Sequence, residues 1–209
     1  MRLILFTVIS LLLLSCKQKT AGAKQQKKPK SDTASNTRKD TTKGQTATPK
    51  EIDYYTTPDE AVVNKSLQGY FKAEWHVLND KEGSWMKDAF EYFIVPKRKE
   101  LPNYPYITMG DFNGDSKPDT AAVVTDSLRT KYRIAVLSSA GKPFLWDEDI
   151  MADAAISLQP KGTTLDVMMG ENAKKVKLKN DGINVEYFER ASFVLHLDKG
   201  KFKRLQTSD

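Results

Sequence analysis

Four oxygen-bearing side chains crowd one short stretch of this 209-residue chain. Residues 110–124 read GDFNGDSKPDTAAVV, which places Asp111, Asn113, Asp115 and Asp119 at spacings of 2, 2 and 4. A hard cation such as Ca²⁺ takes six to eight oxygens at about 2.3–2.6 Å. Alternate residues of a tightly turning loop can aim that many inward. Three carboxylates supply charge, Asn113 supplies a neutral oxygen, and the Lys117 carbonyl can supply another. Gly114 permits the curvature, and Pro118 fixes the exit so that Asp119 reaches back. The competing reading of the same residues is an Asx-rich turn without an ion.

Other chemistry is thin. Cys16 is the only cysteine, which excludes a disulfide or a Cys-based zinc site within one chain. His76 and His196 are the only histidines, each between apolar or aromatic neighbours, and they read as framework positions, not as a ligand pair. No nucleophile elbow, zinc-protease helix or phosphate loop occurs. Two carboxylates acting together remain available to a glycosidase, as in any acidic sequence.

The 110–124 segment resembles the calcium loop of FG-GAP and VCBS repeats, whose common form is GDFNGDGxPDxAV. The resemblance implies Ca²⁺ held by Asp111, Asn113, Asp115, the Lys117 carbonyl and Asp119, between two strands of one sheet. An EF-hand is excluded, because the twelfth position is Ala122 where a bidentate Glu is required. Ser116 replaces the family's usual Gly at a position expected to need positive φ, so a weak site of about 10⁻⁴ M or looser is expected. The loop occurs once, which argues against a full propeller. Asp147, Glu148, Asp149 and Asp153 form the nearest second acidic group and read as a solvated turn.

The first 16 residues, MRLILFTVISLLLLSC, join Arg2 to a 12-residue apolar run from Leu3 to Leu14. That is too short for a transmembrane helix, which needs about 20 residues, and suits a secretion signal. Leu13-Leu14-Ser15-Cys16 resembles the lipobox of bacterial lipoproteins. The resemblance implies cleavage after residue 15, lipidation of Cys16 and retention in a bacterial cell envelope, at an outer membrane facing the periplasm or the cell surface. Residues 17–50 follow with ten Lys and Arg against Asp32 and Asp40, and with no aromatic, Leu, Ile, Val or Met. Such a stretch cannot bury enough apolar surface to offset its ordering entropy and reads as a disordered tether. It serves either as a solvated spacer or as a contact for an anionic envelope polymer.

The pI near 9.2 and net charge of +6 therefore belong to the N-terminal segments. Residues 51–209 carry 22 Lys and Arg against 25 Asp and Glu, a net −3, and hold all the Trp and Tyr. This stretch is expected to be one domain, and nucleic acid is not an expected partner. Thr57-Pro58-Asp59-Glu60 predicts a capped helix start, with Val63, Leu67, Tyr70 or Phe71, and Trp75 at helical spacing. A second segment from Ser84 is either a helix ending before Pro96 or a strand ending at Phe93-Ile94-Val95.

Beyond it the period changes to two. Strands are predicted over 106–109, 120–125, 132–138, 155–158, 164–169, 174–179, 183–189, 192–197 and 202–207, with hairpin turns at Asn180-Asp181-Gly182 and Lys199-Gly200. The fold class is mainly β (α+β): an antiparallel β-rich domain with one or two N-terminal helices, sandwich-like or an incomplete propeller. Tyr104, Tyr106 and Phe112 near the loop either frame a contact surface or pack the core.

The expected protein is a lipid-anchored envelope lipoprotein bearing a Ca²⁺-stabilised, non-catalytic binding or structural module with a protein or glycan partner. The alternatives are an inhibitor or accessory subunit of an enzyme acting on cell wall or polysaccharide, and a carboxylate-dependent glycan hydrolase.

Overall fold

The computed structural model describes residues 55–139, 141–170 and 172–208. The expectations for the signal segment 1–15, for Cys16 and for the tether to residue 50 lie outside them. Helix α1 spans Glu60–Phe71 and buries Val63 and Leu67 as its spacing requires. It starts later than the Thr57 capping box predicts, because a tertiary contact takes the cap. The Asp59 N–H donates to Asn103 Oδ1 at 3.1 Å, and Asn103 Nδ2 donates to Asp59 Oδ2 at 2.5 Å. The Thr57 hydroxyl is buried without a partner among the described residues.

A second helical segment, α2, covers residues 87–97 and runs through Pro96 where the sequence predicts a stop. The turn Phe90–Ile94 is widened to a π turn, with the Val95 N–H donating to the Phe90 carbonyl. Proline lacks an N–H and its ring crowds the carbonyl four residues earlier; a widened turn before it relieves that clash. The strand reading of this segment does not hold. No helix among the described residues is long and apolar enough to cross a membrane.

The remaining chain is antiparallel β. Strands β1 (Trp75–Val77), β2 (Ile107–Gly110), β3 (Asp119–Asp126), β4 (Tyr132–Leu137) and β5 (Phe144–Leu145) form one sheet. β1 and β2 lie end to end along one edge of β3, pairing Trp75 with Asp126 and Gly110 with Asp119, while β4 takes the other edge. Ala121, Ala122, Val123 and Val124 of β3 are all buried, the continuous apolar run of a strand covered on both faces.

The second sheet has the order β11 (Lys201–Ser208), β10 (Ala191–Asp198), β9 (Gly182–Tyr187), β6 (Ala154–Gln159). β7 (Thr164–Met169) and β8 (Asn172–Lys177) form a separate hairpin. The nine strands predicted after residue 105 all occur, β7 with the predicted bounds and the other eight with shifted ends. β1 and β5 are additions too short to carry a period. Neither large sheet closes into a barrel.

Ile134 and Val136 from the first sheet share one core with Ile156, Ile183, Val185, Phe193 and Leu195 from the second. The Trp146 ring, after β5, lies 5.6 Å from that of Phe193. Tyr104, Tyr106 and Phe112 are buried as well, so the contact-surface reading of these three does not hold. At the seam between sheets the Ile156 N–H donates to the Pro105 carbonyl at 2.8 Å. A Cβ at Gly110 would stand 2.6 Å from Leu158 Cδ1, so only glycine fits there without a shift.

One predicted turn is not a turn. β8 pairs with β7, and β9 pairs with β6 and β10, so Asn180-Asp181-Gly182 connects two sheets instead of closing a hairpin. Lys199-Gly200 does close the β10–β11 hairpin.

Candidate functional site

The 110–119 loop joins β2 to β3 and is built from side-chain-to-backbone hydrogen bonds. Asp111 Oδ1 accepts the Gly114 N–H at 2.7 Å and its Oδ2 accepts the Ser116 N–H at 3.1 Å. Asn113 Oδ1 accepts the Asp115 N–H at 2.8 Å, and Asp115 Oδ1 accepts the Lys117 N–H at 2.9 Å. These successive Asx turns wind the chain tightly. The winding carries Gly114 to φ 84° and Ser116 to φ 65°. The second is the left-handed conformation the sequence places at this position, adopted here by a residue with a Cβ.

Asp119 closes the loop from the first residue of β3. It is 1 % exposed, and its carboxylate accepts the N–H groups of Asn113 and Ser139, each at 3.1 Å. The Asn113 amide nitrogen sits among acceptors, 3.3 Å from Asp119 Oδ1, 3.2 Å from Asp115 Oδ2 and 2.9 Å from Ser138 Oγ. A neutral amide donor thus bridges two carboxylates. Among the described residues no Lys or Arg pairs with Asp111, Asp115 or Asp119, and no three His, Cys, Asp or Glu side chains converge in a metal-gripping arrangement. The structure therefore brings Asn113, Asp115 and Asp119 together, and leaves Asp111 facing the backbone of its own loop. Lys117 contributes its N–H to the winding.

The donor chemistry fits a hard cation. All the candidate groups are oxygens, three carry charge, and none is neutralised by a basic side chain. The fit extends to the donor set and no further.

Sequence reasoning missed the second half of the site. The Asp181 carboxylate, from the connection between β8 and β9, accepts the Asp111 N–H at 2.8 Å and the Lys161 N–H at 2.8 Å. The Asp181 N–H in turn donates to the Asp111 carbonyl at 3.1 Å. Buried Asn180 donates to the Phe112 carbonyl at 2.5 Å, and the Phe112 ring is fully buried. The loop is thus latched to the second sheet through side chains about 70 positions away. An Asn-Asp-Gly triplet signals a turn, but nothing in it signals its partner.

A buried ionic cluster lies among the N-terminal elements. Arg98 binds Asp80 with both guanidinium nitrogens, at 2.8 and 2.5 Å, and donates from Nε to the Tyr104 carbonyl at 2.8 Å. Its guanidinium lies over the Tyr55 and Phe90 rings, 4.6 and 5.3 Å from their centroids. Burial, reinforced by nearby Asp80, raises the Tyr106 phenol well above its usual range, and its oxygen accepts Trp85 Nε1–H at 3.0 Å.

Beside this cluster, Glu82 binds His76 at 3.1 Å and Arg129 at 3.0 Å. Desolvation raises the Glu60 carboxyl, and the neighbouring Glu82 adds to the effect. These groups satisfy one another and pin the N-terminal helices to the first sheet. The acidic turn after β5 is paired too. Asp149 meets Arg133, Glu148 meets Arg204 and Asp153 meets Arg190. The chain matches no protein-family model, no curated protein and no solved structure.

Proposed function

We propose that this protein is a bacterial envelope lipoprotein, anchored through acyl chains on Cys16, whose β-rich module serves a non-catalytic binding or structural role and holds one Ca²⁺ in the 111–119 loop. Asp111, Asn113, Asp115, the Lys117 carbonyl and Asp119 are the proposed ligands. One observation carries the ion reading. A buried carboxylate, Asp119, and two further aspartates share a single loop with no cationic side chain paired to them among the described residues. The Asp115 and Asp119 carboxylates share one neutral donor, the Asn113 amide, and a buried carboxylate is costly without a counter-charge. Hydrogen bonds to N–H groups offset part of that; a divalent cation offsets more. The role proposed for the ion is mechanical, holding β2, β3 and the seam in register.

Two experiments test this reading separately. Calorimetric titration of the chelated protein with Ca²⁺ is expected to give saturable heat near about 10⁻⁴ M, with a rise in melting temperature that Asp119→Asn removes. Absence of both heat and thermal shift refutes the ion. For the anchor, the protein expressed in a bacterium is expected to enter the detergent phase on phase partition, and Cys16→Ala to stay in the aqueous phase. Aqueous partition of the unaltered protein refutes lipidation.

A further inference from the structure

The folded module is acidic overall, yet one face is not. In a strand alternate side chains share a face, so Lys175 and Lys177 of β8 stand together on the outer side of the β7–β8 hairpin. Its inner side carries buried Val167 and half-buried Leu165 and Val176. Lys179 continues the row and reaches Asp198 at 3.8 Å, while Lys203 of β11 reaches the same aspartate at 2.6 Å. Asp198 therefore joins the hairpin lysines to Lys199, Lys201 and Lys203 around the β10–β11 turn. Among the described residues these six lysines, all exposed, pair only with Asp166 and Asp198, so the eight side chains carry a net +4. With residues 51–209 at −3, everything else on the module sums to −7. At the hairpin's tip Met168 and Met169 are 37 % and 61 % exposed.

We propose that this lysine stripe is a docking surface for anionic lipid headgroups, with the two methionines entering the apolar edge of the bilayer. Three features favour a lipid plane over other polyanions. The lysines are spread along exposed strand stems instead of converging on a pocket, which suits a sheet of charge and not a single anion. The stripe presents no aromatic on which a nucleobase could stack, since Phe202 turns inward against Phe144, with ring centroids 5.0 Å apart. By the hairpin register Met168 shares the lysine side and Met169 the opposite side, so the tip between them adds exposed apolar surface at the end of the charged stripe, the combination of an interfacial element. Which membrane is met rests on the anchored reading above; binding by the stripe does not require the acyl chains.

The test uses residues 16–209 with Cys16→Ala, which keeps every described residue and removes lipidation, so failure of the anchor leaves the result untouched. Vesicles of equal parts phosphatidylglycerol and phosphatidylcholine are sedimented with this chain at low salt, alongside vesicles of phosphatidylcholine alone. Binding is expected to the anionic vesicles only, and to fall on adding salt. Among the described residues Lys177, Lys199 and Lys201 form no ion pair. Changing all three to Gln is expected to weaken binding roughly a hundredfold, about fivefold for each lysine. The basic segment 17–50 is common to both chains. A control with the same charge change elsewhere, Lys65→Gln with Lys87→Gln and Lys142→Gln, is expected to bind nearly as the parent. Equal loss in the two triple variants, undiminished binding in the stripe variant, or equal binding to neutral vesicles overturns the proposal. Met168→Ser with Met169→Ser separates lipid from soluble polyanion: vesicle binding should fall several-fold while heparin binding stays constant. Parallel loss on both, or no loss on vesicles, overturns the lipid assignment.

Discussion

Replacing Asp181 with Ala removes the carboxylate that latches the acidic loop to the second sheet, while leaving the backbone bond from the Asp181 N–H to the Asp111 carbonyl. Two N–H groups lose a charged acceptor, each now at 2.8 Å. A hydrogen bond to a charged group contributes about 1.5–3 kcal/mol. The two losses are unequal, because the Lys161 N–H faces solvent and water can replace its partner, whereas the Asp111 N–H is half-buried beneath the loop. The expected destabilisation is therefore about 2–3 kcal/mol, dominated by Asp111. For a domain of this size that lowers the melting temperature by roughly 4–12 °C. Asp181→Asn keeps one acceptor oxygen and should lose about half as much. Urea unfolding followed by circular dichroism, with unchanged slope, measures both variants. If Asp181→Ala melts within about 0.5 kcal/mol of the parent, the range of an ordinary surface change, the latch contributes nothing and the account of the seam is wrong.

Three further outcomes follow from the geometry. Ser116 holds φ 65° with a Cβ, so Ser116→Gly should stabilise by roughly 1 kcal/mol and sharpen Ca²⁺ binding in the same titration; a destabilised variant contradicts the strain. Arg98→Met strands the Asp80 carboxylate, whose side chain is 2 % exposed, and should cost about 3–5 kcal/mol. Adding Asp80→Asn should recover part of that, as a double-mutant cycle in urea will show. His196 is buried with Nδ1 unpartnered. Desolvation lowers its pKa and Lys179 helps, against an opposing pull from Asp198. The unfolded chain therefore takes up a proton first as pH falls through about 6.5, so this group makes stability decline on acidification below neutrality. His196→Leu should flatten that part of the melting-temperature profile, and an unchanged slope would remove His196 as its source.

The strands were legible because their signal is local. Lys175-Val176-Lys177 alternates, and Ala121 to Val124 is apolar throughout, so β8 and β3 announce themselves without reference to any partner. What escaped was decided at a distance. Asn103, 44 residues from the Asp59 N–H it accepts, displaces the capping box at Thr57. Pro96 reads as a stop, but a π turn absorbs it once Ala89 and Ile94 have apolar neighbours to bury against. The fragments Trp75–Val77 and Phe144–Leu145 are strands only because β3 and β4 offer edges to pair with.

The acidic loop shows the same division within one site. Its spacing, its tight winding and the left-handed turn at Ser116 could be read from ten consecutive residues. Its anchorage could not, and the anchorage bears most directly on what the loop does. Asp111 meets Asp181, Phe112 meets Asn180, and Gly110 leaves no room for a Cβ against Leu158. Each residue at the loop's entrance thus meets the second sheet or the connection that leads into it, while Asp119 at its exit begins the central strand of the first. A cation held among these carboxylates would not face an open cleft; it would tighten a joint between two sheets. Removing it should then weaken cooperative unfolding of the whole module instead of merely loosening a surface turn, which urea unfolding with and without chelator measures.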